Sequence, residues 1–330
     1  MNNQTSTTAP QPEQALDPDL PICDPHHHLW DYPNSRYLVA ELLDDLAGGH
    51  RVTETVYVEC RHGWRTEGPE ALRPVGETEY VADLTADHQR GDRTRVAAGM
   101  VAFADLTLGA AVRPVLEAQL AASERVRGIR YLSAWDPSDK VHNSQTNPPE
   151  HLLLDRQFRE GFALLSDFDL VFDAWVYHPQ IPDVTELARA FPDQPIVLNH
   201  VGGPLGIGPY AGRREEIFAG WHRDIAELAR CSNVSVKLGG LAMSMSGFGW
   251  HKRDVPPASA ELAEAMAPYF KTCIEHFGAE RCMFESNWPI DKVSCSYTVL
   301  WNAFKRVAAD YPDADRAALL HDTAVRLYRL

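Results

Sequence analysis

The chain has 330 residues, 45% of them hydrophobic, and 31 basic against 46 acidic side chains, a net charge of −15. That apolar content is enough for a large buried core and excludes a wholly disordered chain, while the absence of any long Lys/Arg block excludes a nucleic-acid or anionic-membrane surface. No run of 18 apolar residues occurs and residues 1–21 contain no Lys or Arg, so the sequence predicts neither a membrane span nor a secretory leader.

In chain order, residues 1–20 are polar and rich in Pro, Gln and Thr, which predicts a flexible tail; residues 21–330 read as one domain. Short apolar runs at 22–26, 55–59, 96–103, 128–132, 170–176, 196–199, 234–238 and 282–285 predict strands. Amphipathic stretches at 37–46, 78–88, 111–123, 155–166, 184–190, 215–229, 260–277 and 293–309 predict the helices between and after them. Continuous Val/Ile/Leu/Phe strands, each followed by a helix, imply a parallel sheet covered on both sides. Eight such units in this length predict an α/β fold of the (β/α)8 TIM-barrel type. The alternative, an open doubly wound sheet, lacks a G-x-G-x-x-G after its first strand. The cysteines Cys23, Cys60, Cys231, Cys273, Cys282 and Cys295 form no C-x-x-C pair, which points to reduced thiols and a cytoplasmic protein.

A barrel places its chemistry where strands end and loops begin, and the unusual polar residues fall there. His26 and His28 close the first strand two residues apart, so they share a face and offer two imidazoles to a metal, while His27 faces the other way. Glu59 ends the second strand, as ligand, base or partner of Arg130. Arg130 ends the fourth strand and Lys237 the seventh; either holds an anionic substrate or forms a structural ion pair. His178 and His200 close the fifth and sixth strands as a metal ligand or a proton-transfer group. The last strand ends in Glu285, Asn287 and Asp291, of which the two acids are candidates for the base and Asn287 can only orient by hydrogen bonding. Loops at 62–74, 135–149 and 239–257 are long enough to cover the barrel mouth, and their aromatic residues Trp64, Trp135, Phe248 and Trp250 either stack on a planar substrate or pack the loops.

These segments, Asp24-Pro25-His26-His27-His28, Val58-Glu59-Cys60, Gly128-Ile129-Arg130, Tyr177-His178-Pro179-Gln180, Leu198-Asn199-His200 and Phe284-Glu285-Ser286-Asn287-Trp288-Pro289, resemble the amidohydrolase superfamily, in its amidohydrolase 2 branch of TIM-barrel, lactonase-like hydrolases. The resemblance implies a divalent metal, zinc foremost, on His26, His28 and His178, with metal-free operation as the alternative, and His200 assisting catalysis. Asn287 departs from the family pattern, which has Asp there; Asp291 or Glu285 are the candidates to replace it. The expected reaction is water attack on a small anionic carbonyl compound, a carboxylated lactone, with Arg130, Lys237, Glu59 and Trp135 binding substrate. Non-oxidative decarboxylation of an aromatic or unsaturated acid in the same pocket is the competing reading. Amide hydrolysis and a non-catalytic ligand-binding barrel rank below it. A homodimer is the default expectation for a soluble oligomer.

Overall fold

The computed structural model describes residues 13–90 and 94–330. Eight parallel strands run in the order of the chain: β1 (Ile22–His27), β2 (Val52–Val58), β3 (Arg95–Phe103), β4 (Val126–Leu132), β5 (Val171–Trp175), β6 (Ile196–Leu198), β7 (Val234–Leu238) and β8 (Cys282–Phe284). The ends of the sheet meet where the His28 amide donates to Trp288 O (2.8 Å) and the Trp288 amide to His26 O (3.3 Å), which brings the fold to a nearly closed TIM barrel. Each strand is followed by a helix: α1 (Val39–Leu46), α2 (Val75–Leu84), α3 (Arg113–Ala122), α4 (Arg156–Ala163), α5 (Ile181–Ala190), α6 (Arg214–Leu228), α7 (Ser259–Phe277) and α8 (Tyr297–Ala308).

All eight expected strands and eight helices are present, with shifted ends that have local causes. α5 begins three residues early because Pro182 stands in its first turn, where a missing N–H costs nothing. α8 begins at Tyr297 because the Ser296 hydroxyl accepts the Val299 amide as an N-cap. A small antiparallel hairpin, Trp30–Tyr32 with Ser35–Tyr37, and two C-terminal helices, α9 (Asp313–Ala317) and α10 (Thr323–Tyr328), are additional.

Strand alternation sends one set of side chains inward. Cys23, Val56, Val58, Val101, Val171, Val197 and Met283 form a buried apolar cluster that Ala324 and Tyr328 of α10 complete. The larger core packs against the helices. Of the expected tail, residues 1–12 lie outside the described residues. Beyond them, Glu13 accepts the Ser259 amide (2.8 Å), the Asn302 carboxamide oxygen accepts the Leu16 amide (2.8 Å), and Lys305 donates to Leu16 O (2.9 Å). All six cysteines are free, five of them buried. No helix among the described residues is long and apolar enough to cross a membrane.

Candidate active site

The strand ends of β1, β6 and β8 bring three side chains together. Glu285 Oε1 accepts both the His200 backbone amide (3.0 Å) and His200 Nδ1–H (2.6 Å). Its Oε2 lies 2.7 Å from His26 Nδ1 yet has no hydrogen bond of acceptable angle, although it is buried. One ligand atom from each of His26, His200 and Glu285 falls within 4.8 Å of the others. The His26 ring is 5.0 Å from His28 and 4.6 Å from His200, and Trp175 packs edge-on against His200 at 4.7 Å.

The two glycines after β7 exist for this packing. A Cβ on Gly239 would stand 2.4 Å from Glu285 Cγ, and one on Gly240, whose φ is +70°, would stand 2.6 Å from the His200 ring. Only hydrogen fits at either place.

Two ion pairs lie beside the cluster. Arg130 Nε donates to Glu59 Oε1 at 2.7 Å and its Nη1 lies 3.3 Å from His26 Nε2. Lys237 Nζ donates to Asp173 Oδ2 at 2.7 Å and lies 3.4 Å from His26 Nδ1. Asp173 also accepts Asn199 Nδ2 (2.9 Å) and the Tyr328 hydroxyl (2.9 Å). Burial first, and then the Lys237 charge, hold the His26 imidazole well below its ordinary pKa. A neutral imidazole has one lone-pair nitrogen, so His26 accepts from Lys237 or from Arg130 and not from both.

The remaining expected site residues divide by geometry. His28 Nδ1 donates to Val58 O at 2.7 Å, which leaves Nε2 with the lone pair. His178 does the reverse: its Nδ1 accepts the Leu205 amide at 3.3 Å, so Nε2 carries the proton, and burial pushes its pKa down to about 4. Both stand outside the ligand-spaced group, in which His200 and Glu285 join His26. Asn287 and Asp291 form a pair of their own. Asn287 Nδ2 donates to Asp291 Oδ1 (2.9 Å) and the Ala242 amide to Oδ2 (3.3 Å). Burial drives the Asp291 carboxyl well above the usual range. Trp135 has its amide on Gln180 Oε1 (2.9 Å). Arg130 and Lys237, expected to hold an anionic end, are tied to Glu59 and Asp173.

Asp24, two residues before His26, does not orient a histidine ring. It accepts the Ser286 amide and hydroxyl (3.0 and 2.5 Å) and the Tyr297 hydroxyl (2.9 Å), so it fastens β1 to the loop after β8. Sequence reasoning missed Asp173 and Tyr328; the signal that could have found Asp173 is a lone acid in an apolar strand, on the same inward parity as Val171. Tyr328 carried no such signal.

The donor set fits a divalent cation. A buried carboxylate oxygen without a hydrogen bond faces an imidazole nitrogen, and both atom types are ordinary zinc ligands. Without an ion, Glu285 orients His200 so that Nε2 is the nitrogen able to take a proton.

A sequence profile described as amidohydrolase matches residues 23–330. An uncharacterized protein of Sinorhizobium fredii is 30% identical over 334 residues, covering 94% of this chain and 99% of its own. An L-fucono-1,5-lactonase of Burkholderia ambifaria is 27% identical over 315 residues, covering 93% and 95%. Among solved structures, an amidohydrolase of Burkholderia multivorans with bound zinc superposes with a TM-score of 0.72 at 24% identity, over 94% of this chain and 99% of that one.

Proposed function

The chain belongs to the amidohydrolase family and is a hydrolase, and from that premise we propose that it opens a small lactone bearing a carboxylate. The observation that carries the reading is the hydrogen bond from His200 to Glu285 at the strand ends of the barrel. Glu285 fixes the His200 tautomer and stabilises the imidazolium that forms when Nε2 takes the proton of the attacking water. The C–O bond of the ring then breaks, the departing oxygen recovers that proton, and a hydroxy acid leaves. Lys237 and Arg130 flank His26 with their charges already balanced by Asp173 and Glu59, so they fix its position.

His26 Nδ1 and Glu285 Oε2 would hold a divalent cation, zinc by donor preference, which leaves His200 Nε2 for the proton. Such an ion, when bound, supplies polarisation of the carbonyl and a more acidic water. The lactone class is supported by the likeness to the L-fucono-1,5-lactonase.

The test is proton release in weakly buffered solution from a panel of carboxylated lactones. Ring opening creates an acid that ionises and acidifies the medium. The expected result is acidification that falls at least a hundredfold in rate in His200→Ala, with the far-ultraviolet circular dichroism unchanged. Alkalinisation on unsaturated or aromatic acids would instead assign decarboxylation. Chelation followed by assay is expected to lower kcat at least tenfold, with restoration by zinc; full activity after chelation would leave the Glu285-oriented His200 to act alone.

A further inference from the structure

We propose that the cavity above the ends of β2, β3 and β4 binds the carboxylate of a planar, ring-bearing ligand, and that Arg61 reads the charge; the inference rests on the lactone reading and names where its anionic end sits. The cavity has a volume of about 550 Å³, and its walls include Arg61, Trp64, Phe103, Tyr131, Gln145 and Thr146. That is the size of a small-molecule site. Two of the long loops, 62–74 and 135–149, supply parts of the wall. Arg61 follows Glu59 by two residues and Tyr131 follows Arg130 by one, so the cavity borders the strand ends that carry the Glu59–Arg130 pair.

Arg61 is built into this wall. Its guanidinium carbon stands 4.6 Å from the centre of the Trp64 ring and 5.9 Å from that of Phe103. Trp64 lies 5.3 Å from Phe103, which stacks on Tyr131 at 5.6 Å. Lying over aromatic faces fixes the plane of the guanidinium and leaves its N–H edges for a carboxylate in fork geometry. Among the described residues the Arg61 side chain has no hydrogen bond and no ion pair. The cavity also has two acids on its wall. Asp105 caps the next turn by accepting the Thr107 amide and hydroxyl (3.0 and 2.6 Å), and Glu70 is exposed.

The backbone shows that the position is enforced. Arg61 has φ +64°, a left-handed conformation unusual for a residue with a side chain. It is held there from both sides by one buried acid of α2: Glu77 Oε1 accepts the amides of Cys60 (2.7 Å) and His62 (3.3 Å), and Oε2 accepts the Trp64 indole N–H (3.0 Å). Strain kept by such over-determination is a mark of functional positions. Arg130 and Lys237 cannot take the role, because each is buried against its own carboxylate. In a chain of net charge −15 an anion needs a local cation, and Arg61 is the one the cavity offers.

The test compares benzoate with benzamide, which share a planar shape and differ in charge, by equilibrium titration of the intact protein followed by tryptophan fluorescence and calorimetry. The expected result is benzoate binding at least tenfold tighter than benzamide. In Arg61→Gln that preference disappears through loss of benzoate affinity alone, whereas Trp64→Leu weakens both ligands. Equal affinities in the wild-type protein, or a preference that survives Arg61→Gln, would overturn the proposal. The reading of the reaction is separated by turnover: a protein that opens no lactone but loses its benzoate preference in Arg61→Gln keeps the site and loses the lactonase assignment. A protein that opens carboxylated lactones with KM unchanged in Arg61→Gln keeps the reaction and loses the site.

Discussion

At the scale of single residues, Glu59 stands opposite Arg130, a residue only 5% exposed, with its own side chain fully buried. Removing one partner of such a pair leaves an uncompensated buried charge, which costs about 3–5 kcal/mol. Glu59→Gln is therefore expected to lower the urea-unfolding free energy by about 3 kcal/mol; a loss below 1 kcal/mol would mean that water reaches Arg130 when the charge is gone. Gly240→Ala tests the packing around His200. A methyl group there would stand 2.6 Å from the imidazole at a φ of +70°, so the ring must move off Glu285. We expect kcat to fall at least tenfold while the fold survives, and an unchanged kcat would dissociate the His200 orientation from the reaction. His26, His200 and Glu285 were legible because an inward polar residue at a strand end has no structural reason to be there. Which of them meet was not legible. The distances depend on the loop conformations after β6 and β8, where His200 and Asn287 both have positive φ.

Elements were more legible than contacts, because eight strands and eight helices of regular period each repeat the same signal. The C-terminal helix α10 escaped because it has six residues and follows a π-helical turn, Ala318–Asp322, which breaks the 3.6-residue period. It nonetheless completes the barrel interior. Tyr328 is fully buried, and its hydroxyl lies 2.9 and 3.1 Å from the two oxygens of Asp173. Tyr328→Phe deletes a donor to a buried carboxylate, which costs about 1–3 kcal/mol. Asp173 keeps Lys237 and Asn199, so kcat/KM is expected to stay within threefold. A collapse of kcat at unchanged KM would make Tyr328 a positioning residue for Lys237.

For the whole molecule, net charge and buried histidines act in opposite directions when the pH falls. Acidification reduces the excess of 46 acidic over 31 basic groups and so relieves self-repulsion in the compact state. His50 opposes that relief. Lys305 Nζ lies 3.0 Å from its Nδ1 and its Nε2 donates to Thr298 O at 3.2 Å, so both nitrogens are engaged in the neutral form. Burial and then the Lys305 charge push its pKa down to about 4. In the unfolded chain the ring titrates at about 6.5. Between these values the unfolded state binds more protons than the folded one, so the His50 contribution is fully present above about 6.5 and is lost as the pH falls towards 4. Allowing for solvent that reaches the ring edge, the loss from pH 7 to pH 5 is about 1 kcal/mol. His27, pushed down by burial to about 3, and His178 add to the same slope. Subtraction isolates His50 from the charge effect: urea unfolding of the wild-type protein and of His50→Gln at pH 7, 6 and 5 shares every other group. The variant keeps an N–H for Thr298 O and does not titrate, so its stability should fall by about 1 kcal/mol less over this range. Parallel curves would mean that His50 takes up its proton equally in the folded and unfolded chains, and that the Lys305 contact yields before the fold does.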